Sequence, residues 1–278
     1  MVILMKIKCL ICDIDGSLMN PSAGLYVSKE IEDKLIELQR RGFLIILNSA
    51  RTLQGVKPLS EQIKMNEFGG YLISCNGANV KNAKTNKTLF EYSISANDCL
   101  AIWNICKEYD LKPGFTQPKY GVCQEMTLGF YLDKENCQMD YMVTHNPENH
   151  VEDSIWKMCI SESKEKLDES FDVVKKVIES KYNVEAIRST DTLGDVISRE
   201  VSKFKTCDRL LKMLNISWEN VSVIGDGYAD LECIKSAKLG VVPQNGKEEV
   251  KKEANFIVPS CYEDGANVWL NLLLEERL

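Results

Sequence analysis

The chain has 278 residues, of which 44% are hydrophobic and 27% are charged, and its formal net charge at pH 7 is -7. This composition excludes a disordered or fibrous chain, and the length favours two lobes or one large α/β unit with an insertion. No broad basic surface is expected, so nucleic acid and anionic membranes are poor candidate partners, and an anionic substrate requires a local basic pocket or a bound cation.

The first elements alternate between strand and helix. An apolar run predicts a buried strand over 7–12, in a stretch too short and too rich in lysine for a membrane span or a secretory signal. A helix is predicted between a Ser28 cap and Gly42, followed by a strand over 43–47, a short helix near 60–65 and a strand over 71–74. This order is typical of a parallel sheet with crossover helices.

The middle of the chain has a different texture. From about 82 to 192 there are longer polar loops, an alternating stretch over 127–132, and helices over 98–109 and 165–180. Helix and strand then alternate again over 205–214, 221–224, 229–237 and 239–242, with a last predicted helix from Gly246. We therefore predict an α/β fold in which a Rossmann-like parallel-sheet core domain, 1–81 and 193–278, is interrupted by an inserted α+β domain, 82–192.

The eleven cysteines are odd in number and scattered through apolar segments. This usage indicates buried free thiols in a reducing compartment, and so a cytoplasmic protein without a disulfide framework. Only two histidines, His145 and His150, are available as nitrogen ligands, so we do not expect zinc.

Two acidic clusters follow predicted strands. Asp13 and Asp15 are one residue apart, and such carboxylates repel each other unless a cation lies between them or one is protonated. A solvated turn is the alternative, and a calcium-binding loop is excluded because Gly16 comes too early and Gly24 occupies the position of the final acid.

The second acidic cluster, Asp226 and Asp230, lies between a strand and a helix. It could be a capped helix start or a dinucleotide-binding turn, but Asp226 would repel the pyrophosphate of a dinucleotide. Magnesium suits these acids better.

Two further clusters carry groups that bind anions. Ser49, Ala50 and Arg51 follow the second predicted strand, where a hydroxyl and backbone amides can bind a phosphoryl oxygen, although Ser49 could equally be a helix cap. Lys203 lies near the start of a predicted helix, and most lysines on helices are solvated. Lys205 is the alternative candidate for the same anion-binding role.

Taken in chain order, the four clusters resemble the haloacid dehalogenase (HAD) superfamily. The resemblance covers nearly the whole chain and is strongest to the Cof-like phosphatases of subfamily IIB, whose C2-type cap is inserted between the second and third motifs. The motifs are Asp13-Ile14-Asp15-Gly16-Ser17-Leu18, then Ser49, then Lys203, then Gly225-Asp226-Gly227 with Asp230. Ser17 stands where the family usually has threonine, and glycine is common in the family where Glu200 and Phe204 flank the Lys203 motif.

The resemblance implies a Mg²⁺-dependent phosphatase that forms a phospho-aspartate on Asp13. Asp15 would be the general acid and base, while Ser49 and Lys203 would hold the phosphoryl group. The implied metal ligands are Asp13, Asp15, Asp226 and Asp230. The implied phosphate and substrate contacts are Gly16, Ala50, Arg51 and Asn76.

One further substrate contact is predicted in the inserted domain. Arg188 is the only arginine between residues 82 and 192, and its guanidinium could bind a second anionic group of the substrate or lie on the surface. The expected partner is a small phosphorylated metabolite, with sugar phosphates favoured by analogy, and the chain could be a monomer or a homodimer. A phosphomutase or phosphotransferase using the same aspartate, and a non-catalytic protein that binds phosphorylated metabolites, are the alternative functions.

Overall fold

The structure, a computed structural model, describes residues 7–275. The predictions made for residues 1–6 and 276–278, which include both ends of the predicted core domain, lie outside the described residues. The chain divides into two compact units. The first comprises the chain up to Leu89 together with the chain from Ser202 onward, and the second is Phe90–Val201.

Residues 7–275 contain fourteen strands and ten α-helices. The strands are β1 (Cys9–Cys12), β2 (Leu44–Asn48), β3 (Tyr71–Ser74), β4 (Asn79–Asn82), β5 (Thr88–Glu91), β6 (Lys112–Thr116), β7 (Gly121–Cys123), β8 (Tyr141–Val143), β9 (Lys157–Ser161), β10 (Val184–Arg188), β11 (Leu193–Ser198), β12 (Val221–Ile224), β13 (Leu239–Pro243) and β14 (Phe256–Val258). The α-helices are α1 (Lys29–Arg40), α2 (Leu53–Gln62), α3 (Met65–Phe68), α4 (Ala96–Glu108), α5 (Leu128–Cys137), α6 (Lys164–Lys181), α7 (Lys203–Met213), α8 (Leu231–Ser236), α9 (Glu248–Lys251) and α10 (Ala266–Leu274).

The first unit is built on an eight-stranded sheet in the order β14-β13-β12-β1-β2-β3-β4-β5. The strands from β14 to β3 pair in parallel, whereas β4 is antiparallel to β3. In the centre, Cys12 lies between Leu47 of β2 and Ile224 of β12. Parallel strands end at the same edge of a sheet, so the residues that follow β1, β2 and β12 are brought together there.

Apolar periodicity explains how helix α1 covers this sheet. Ile31, Leu35 and Leu38 recur on one helical face, and all three are fully buried in the main core of the unit. Ser28 caps the helix by accepting a hydrogen bond from the Ile31 amide, and Gly42 follows the last turn with a φ of +88°.

The second unit contains a six-stranded sheet in the order β10-β11-β9-β6-β7-β8, antiparallel except for the parallel pair β7 and β8. Helices α4 and α6 contribute to its larger apolar core, which includes Trp103 and Phe115. Helix α5 contributes Phe130 to a smaller cluster with Cys123 and Cys159. The prediction of an α/β fold with a parallel sheet interrupted by an inserted α+β segment is confirmed.

Several predicted boundaries differ from those observed. The units divide inside β5 and just before α7. The predicted divisions, after residues 81 and 192, fall eight or nine residues earlier in the chain. The second boundary lies after β11 because this strand pairs with β9 and β10 and so belongs to the sheet of the second unit.

One local prediction was wrong, and one alternating stretch proves to be helical. The alternating stretch 127–132 forms the start of helix α5, because the Thr127 hydroxyl accepts a hydrogen bond from the Phe130 amide and caps the first turn. The helix predicted near 60–65 begins at Leu53 and tolerates Pro58 in its interior.

All eleven cysteines are buried, and none of them forms a disulfide. Among the described residues, no helix has both the length and the apolar character that crossing a membrane requires.

Candidate active site

Four of the predicted motifs meet at the edge of the sheet where β1, β2 and β12 end. Asp13 directly follows β1, Ser49 follows β2, and Asp226 lies two residues after β12. Lys203 is the first residue of helix α7, whose cap is the Ser202 hydroxyl. These groups all belong to the first unit.

The Lys203 ammonium joins two of the acidic motifs. Its Nζ atom lies 2.5 Å from an Asp13 carboxylate oxygen and 2.8 Å from an Asp230 carboxylate oxygen, and all three side chains are buried. Burial by itself lowers the pKa of Lys203, but the charges of Asp13 and Asp230 outweigh it and raise that pKa well above its usual range. The lysine is therefore a fixed cation beside Asp13.

A third acid completes the cluster. Asp13, Asp226 and Asp230 each offer a carboxylate oxygen, and these oxygens all lie within 4.8 Å of one another. Burial and the neighbouring charges of Asp13 and Asp230 raise the pKa of Asp226 from 3.8 to about 8. Burial and the charge of Asp13 raise the pKa of Asp230 to about 6, against the opposing effect of Lys203. Crowded carboxylates with raised pKa values fit a hard divalent cation with oxygen ligands, such as Mg²⁺.

Ser17 also belongs to this site, although it was not among the predicted site residues. Its hydroxyl oxygen lies 2.8 Å from an oxygen of Asp13 and 3.1 Å from an oxygen of Asp226, and the residue is fully buried. The hydroxyl can donate to one carboxylate at a time, so it links the first and fourth motifs. Its position within the first motif was the available signal.

Gly16 lies against the acidic cluster. Its φ is +78°, and a Cβ atom there would stand 2.5 Å from a carboxylate oxygen of Asp226. The Gly16 carbonyl accepts a hydrogen bond from the Asn245 side chain at 2.8 Å, and Asn245 in turn accepts one from the Cys261 amide. Asn245 thus fixes the turn after β1, and the backbone of this turn lies close to the candidate metal ligands.

Asp15 and Arg51 form a bidentate pair. The Arg51 Nε and Nη2 atoms donate to the two Asp15 oxygens at 2.7 and 2.6 Å. The same guanidinium donates to the carbonyls of Gly24 and Gly55. In this structure Arg51, predicted as a phosphate or substrate contact, therefore binds Asp15, and the Asp15 side chain points to Arg51 instead of joining the other acids.

The remaining predicted contacts of the first unit lie next to this pair. Ser49 is buried, and its hydroxyl accepts a hydrogen bond from the Arg51 amide at 3.1 Å, with half-buried Ala50 between them. Asn76 is buried with a φ of +55°, and its amide donates to the Ser49 carbonyl at 3.1 Å.

Arg188 lies in the second unit, at the end of β10. Its guanidinium donates to the carbonyls of Thr190 and Asp191, pairs with Asp168 at 3.4 Å, and stands over the Phe171 ring at 5.8 Å. The contacts of the Arg188 side chain named here are thus all with residues of the second unit.

The structure therefore brings Lys203 into direct contact with Asp13 and Asp230. It places an Asp226 oxygen within 4.8 Å of oxygens of both acids and gathers Ser17 with them. A buried carboxylate beside a fixed ammonium and a hard-cation site can act as a nucleophile toward an anionic centre, because the positive charges offset the repulsion between them.

Comparison with known proteins finds similarity over nearly the whole chain. A family model described as haloacid dehalogenase-like hydrolase matches residues 10–270. "Putative phosphatase YxeH" of Bacillus subtilis is 26% identical, over 93% of this chain and 95% of its own length. The 5-amino-6-(5-phospho-D-ribitylamino)uracil phosphatase YcsE of the same species is 25% identical, over 93% of this chain and 92% of its own length.

A solved structure shows the same fold. A haloacid dehalogenase-like hydrolase from Bacteroides thetaiotaomicron superposes with a TM-score of 0.86 at 25% identity, covering 96% of this chain and 99% of that one.

Proposed function

Because the chain belongs to the haloacid dehalogenase-like hydrolase family, we propose that it is a Mg²⁺-dependent phosphatase that acts on a small metabolite through a phospho-aspartate on Asp13. Phosphatase activity is supported by its relatives, which are named phosphatases. The observation that carries the finer proposal is the contact of Lys203 with Asp13 and Asp230, beside Asp226.

In the first step, an Asp13 oxygen attacks phosphorus. The new bond joins that oxygen to phosphorus, and the bond from phosphorus to the leaving oxygen breaks. Asp15 gives its proton to the leaving oxygen, which departs as an alcohol. Lys203 offsets the growing negative charge, and Ser49 with the amide of Ala50 holds a phosphoryl oxygen.

In the second step, water attacks the same phosphorus. Asp15, now a carboxylate, takes a proton from that water, and the bond between phosphorus and the Asp13 oxygen breaks to release inorganic phosphate. Asp15 is thereby returned to its protonated form. In the resting structure Arg51 binds both Asp15 oxygens, so one of these two hydrogen bonds must break before the carboxyl is protonated, while the other can still orient it.

Asp13, Asp226 and Asp230, with Asp15 through its backbone carbonyl, would hold Mg²⁺. When bound, the ion supplies positive charge that offsets repulsion between the nucleophile and the phosphate.

For the second unit we propose the role that the resemblance implies, a cap that selects the leaving group. The prediction assigned this role to the inserted domain 82–192, which largely coincides with the second unit. Arg188 would bind a second anionic group by exchanging its present carbonyl partners for substrate oxygens.

We favour sugar phosphates as substrates, with the phosphorylated uracil named for YcsE as a second class to assay. The cysteine usage supports a cytoplasmic location.

The test is phosphate release from a panel of phosphorylated metabolites, with and without Mg²⁺, and without any acceptor. We expect Mg²⁺-dependent release, and Asp13→Asn should lower it by at least about a thousandfold, because an amide is a poor nucleophile. The matched control is Asp33→Asn on the exposed face of α1, which should retain activity. Full activity in Asp13→Asn would overturn the nucleophile assignment, and phosphate transfer that requires an acceptor would favour a mutase or phosphotransferase.

A further inference from the structure

The turn between β3 and β4 has an unusual backbone conformation. Cys75, Asn76 and Gly77 have φ angles of +50°, +55° and +108° in succession, and all three residues are buried. Glycine adopts positive φ freely and asparagine tolerates it, whereas a cysteine there is strained by its Cβ atom. Such strain persists only where surrounding contacts hold the backbone, and it is concentrated at functional sites. Contacts on two sides hold this segment, the strained turn.

On one side, the strained turn holds the loop that follows β2. The Cys75 amide donates to the Arg51 carbonyl at 2.8 Å. The Asn76 amide donates to the Ser49 carbonyl at 3.1 Å. Both acceptors belong to the 49–51 loop, whose Ser49 hydroxyl holds a phosphoryl oxygen under the proposed function. Two successive amides of the strained turn thus fix the backbone of this loop at two points.

On the other side, the strained turn packs against the first turn of helix α7. The Thr206 hydroxyl donates to the Gly77 carbonyl at 3.0 Å, and Thr206 is only 2% exposed. A Cβ atom at Gly77 would lie 2.6 Å from the Thr206 Oγ1 atom and 2.7 Å from the Ser202 carbonyl oxygen. The strained turn therefore approaches the helix more closely than a side chain would allow. Lys203 begins this helix, three residues before Thr206 and thus on a neighbouring part of its surface.

We propose that Thr206 is a positioning residue for phosphoryl transfer. Its hydroxyl ties the strained turn to helix α7, and the strained turn holds the 49–51 loop, so these contacts together set the spacing between Ser49 and Lys203. This inference rests on the proposed function, in which Ser49 and Lys203 hold the same phosphoryl group. Thr206 acts through the Gly77 carbonyl and does not itself bind the substrate.

The partner of the Thr206 hydroxyl favours this role. Threonine hydroxyls within helices commonly bond to the carbonyl four residues earlier in the same helix. In α7 that carbonyl belongs to Ser202, and it accepts from the Thr206 amide at 3.1 Å. The hydroxyl reaches instead to Gly77, which is 129 positions away in the chain. The bond therefore acts on the approach of two distant segments.

A second, longer link joins the same part of the sheet to the helix. The Asn48 side chain, at the end of β2, donates to the Lys203 carbonyl at 3.4 Å and to the Cys207 Sγ atom at 3.2 Å. The first distance is near the limit for a hydrogen bond, and sulfur is a weak acceptor. We therefore expect the Thr206 bond to contribute more to the spacing, while Asn48 leaves a partial restraint when that bond is lost.

Thr206→Val tests the role, because valine has nearly the same shape as threonine but no hydroxyl. We expect kcat to fall by about tenfold, since a small displacement of the groups that hold the phosphoryl group raises the barrier of the chemical step. The loss should be equal for alkyl phosphates and for p-nitrophenyl phosphate, because the same phosphoryl group is transferred from both, and KM should change little. Thr206→Ser keeps the hydroxyl and should retain kcat within about threefold of wild type.

The matched control is Ser60→Ala on helix α2. Ser60 is also buried in the first unit, and its hydroxyl donates to the Lys57 carbonyl at 2.8 Å. Both variants lose one hydrogen bond from a hydroxyl to a carbonyl, so both should lower the midpoint of denaturant unfolding. Only Thr206→Val should lower kcat, whereas a merely structural role for Thr206 predicts unchanged kcat in both folded variants.

A double-mutant cycle tests whether Thr206 acts through the 49–51 loop. Ser49→Ala removes the hydroxyl that the loop presents to the phosphoryl group, so the position of the loop should then matter less. We expect Thr206→Val to lower kcat/KM by about threefold or less in the Ser49→Ala background, against about tenfold in the wild-type background. Thr206→Ala offers the same comparison if valine does not fold at this position.

Wild-type kcat in Thr206→Val, equal losses in Thr206→Val and Thr206→Ser, or independent effects in the cycle would overturn the inference. A loss that depends on the leaving group would also overturn it, because the effect would then lie on Asp15. All these results require a wild-type chain that releases phosphate, so they leave the proposed function intact. A wild-type chain that releases no phosphate from any substrate would overturn the proposed function and this inference together.

Discussion

The Arg51 guanidinium holds Asp15 by both carboxylate oxygens while its own side chain is only 3% exposed. The guanidinium also donates hydrogen bonds to the carbonyls of Gly24 and Gly55, which fix its orientation. A bidentate pair of this kind defines the direction of the carboxylate as well as its charge. We therefore regard Arg51 as a residue that positions Asp15 for proton transfer, under the proposed function.

Replacement of Arg51 tests this role. Arg51→Ala should lower kcat for alkyl phosphates by about a hundredfold, because a misplaced Asp15 no longer protonates the leaving oxygen efficiently. The loss should be much smaller for p-nitrophenyl phosphate, whose leaving group departs readily without a proton. Steady-state kinetics on both substrates provide the measurement, and Arg51→Lys should retain an intermediate rate. Equal losses on the two substrates would contradict a role through Asp15.

At the scale of elements, the turn after β1 decides how closely the first and fourth motifs approach. Gly16 places its backbone against Asp226 and adopts a φ of +78°. Both features disfavour any side chain at this position. The acidic cluster can therefore form only if this turn keeps a residue without a side chain next to Asp226.

Alanine at two glycines separates the effect of close approach from that of φ. Gly16→Ala and Gly42→Ala should each lower the free energy of unfolding by about 1–2 kcal/mol, because both positions have positive φ. Only Gly16→Ala should also reduce phosphatase activity, by at least about tenfold, since its Cβ displaces Asp226. Within residues 7–275, and apart from the chain neighbours of Gly42, no heavy atom lies within 4 Å of the position that a Cβ would take there. Denaturant unfolding and phosphate release measure the two effects, and equal activities in the two variants would reject the argument.

At the scale of the whole molecule, a chain of net charge -7 must bind an anionic substrate. Negative charge is in excess at the site, because three carboxyl groups surround the single ammonium of Lys203. These groups belong to Asp13, Asp226 and Asp230. Burial, and after it the charges of Asp13 and Asp230, raise the pKa of Asp226. A bound divalent cation would relieve the excess negative charge and give the substrate an attractive field at one place on an otherwise repellent surface.

The stability of the protein should therefore depend jointly on pH and Mg²⁺. In metal-free protein the folded pKa of Asp226 is about 8, above its ordinary value of 3.8, so the folded state binds this proton more tightly. That contribution to stability is present at low pH and is lost as the pH rises toward 8. Mg²⁺ competes with the proton, so its affinity should be about tenfold higher at pH 9 than at pH 7.

Thermal unfolding at several Mg²⁺ concentrations and at both pH values measures this linkage. The rise in Tm caused by Mg²⁺ should be larger at pH 9, and Asp226→Asn should remove most of the rise and its pH dependence. A rise in Tm that is larger at pH 7 would contradict the assigned sign.

Much of the fold and of the site was predictable, because both depend on local patterns. Apolar runs such as 7–12 identify strands that are buried on both faces, and parallel strands place their following residues at one edge of the sheet. The acids after β1 and β12 therefore had to approach each other once the strands were adjacent. The boundaries of the units were less predictable, because β11 belongs to the second sheet only through its pairing with β9 and β10.

The sequence by itself determined the α/β class, the inserted segment and the residues after each strand, since these follow from hydrophobic periodicity and from residue type. Only the tertiary structure decided the partners of those residues. Arg51 binds Asp15 across 36 positions, and the Ser17 hydroxyl reaches Asp226 across 209. Such contacts depend on packing between distant segments, and no local pattern encodes the direction in which a side chain finds its partner.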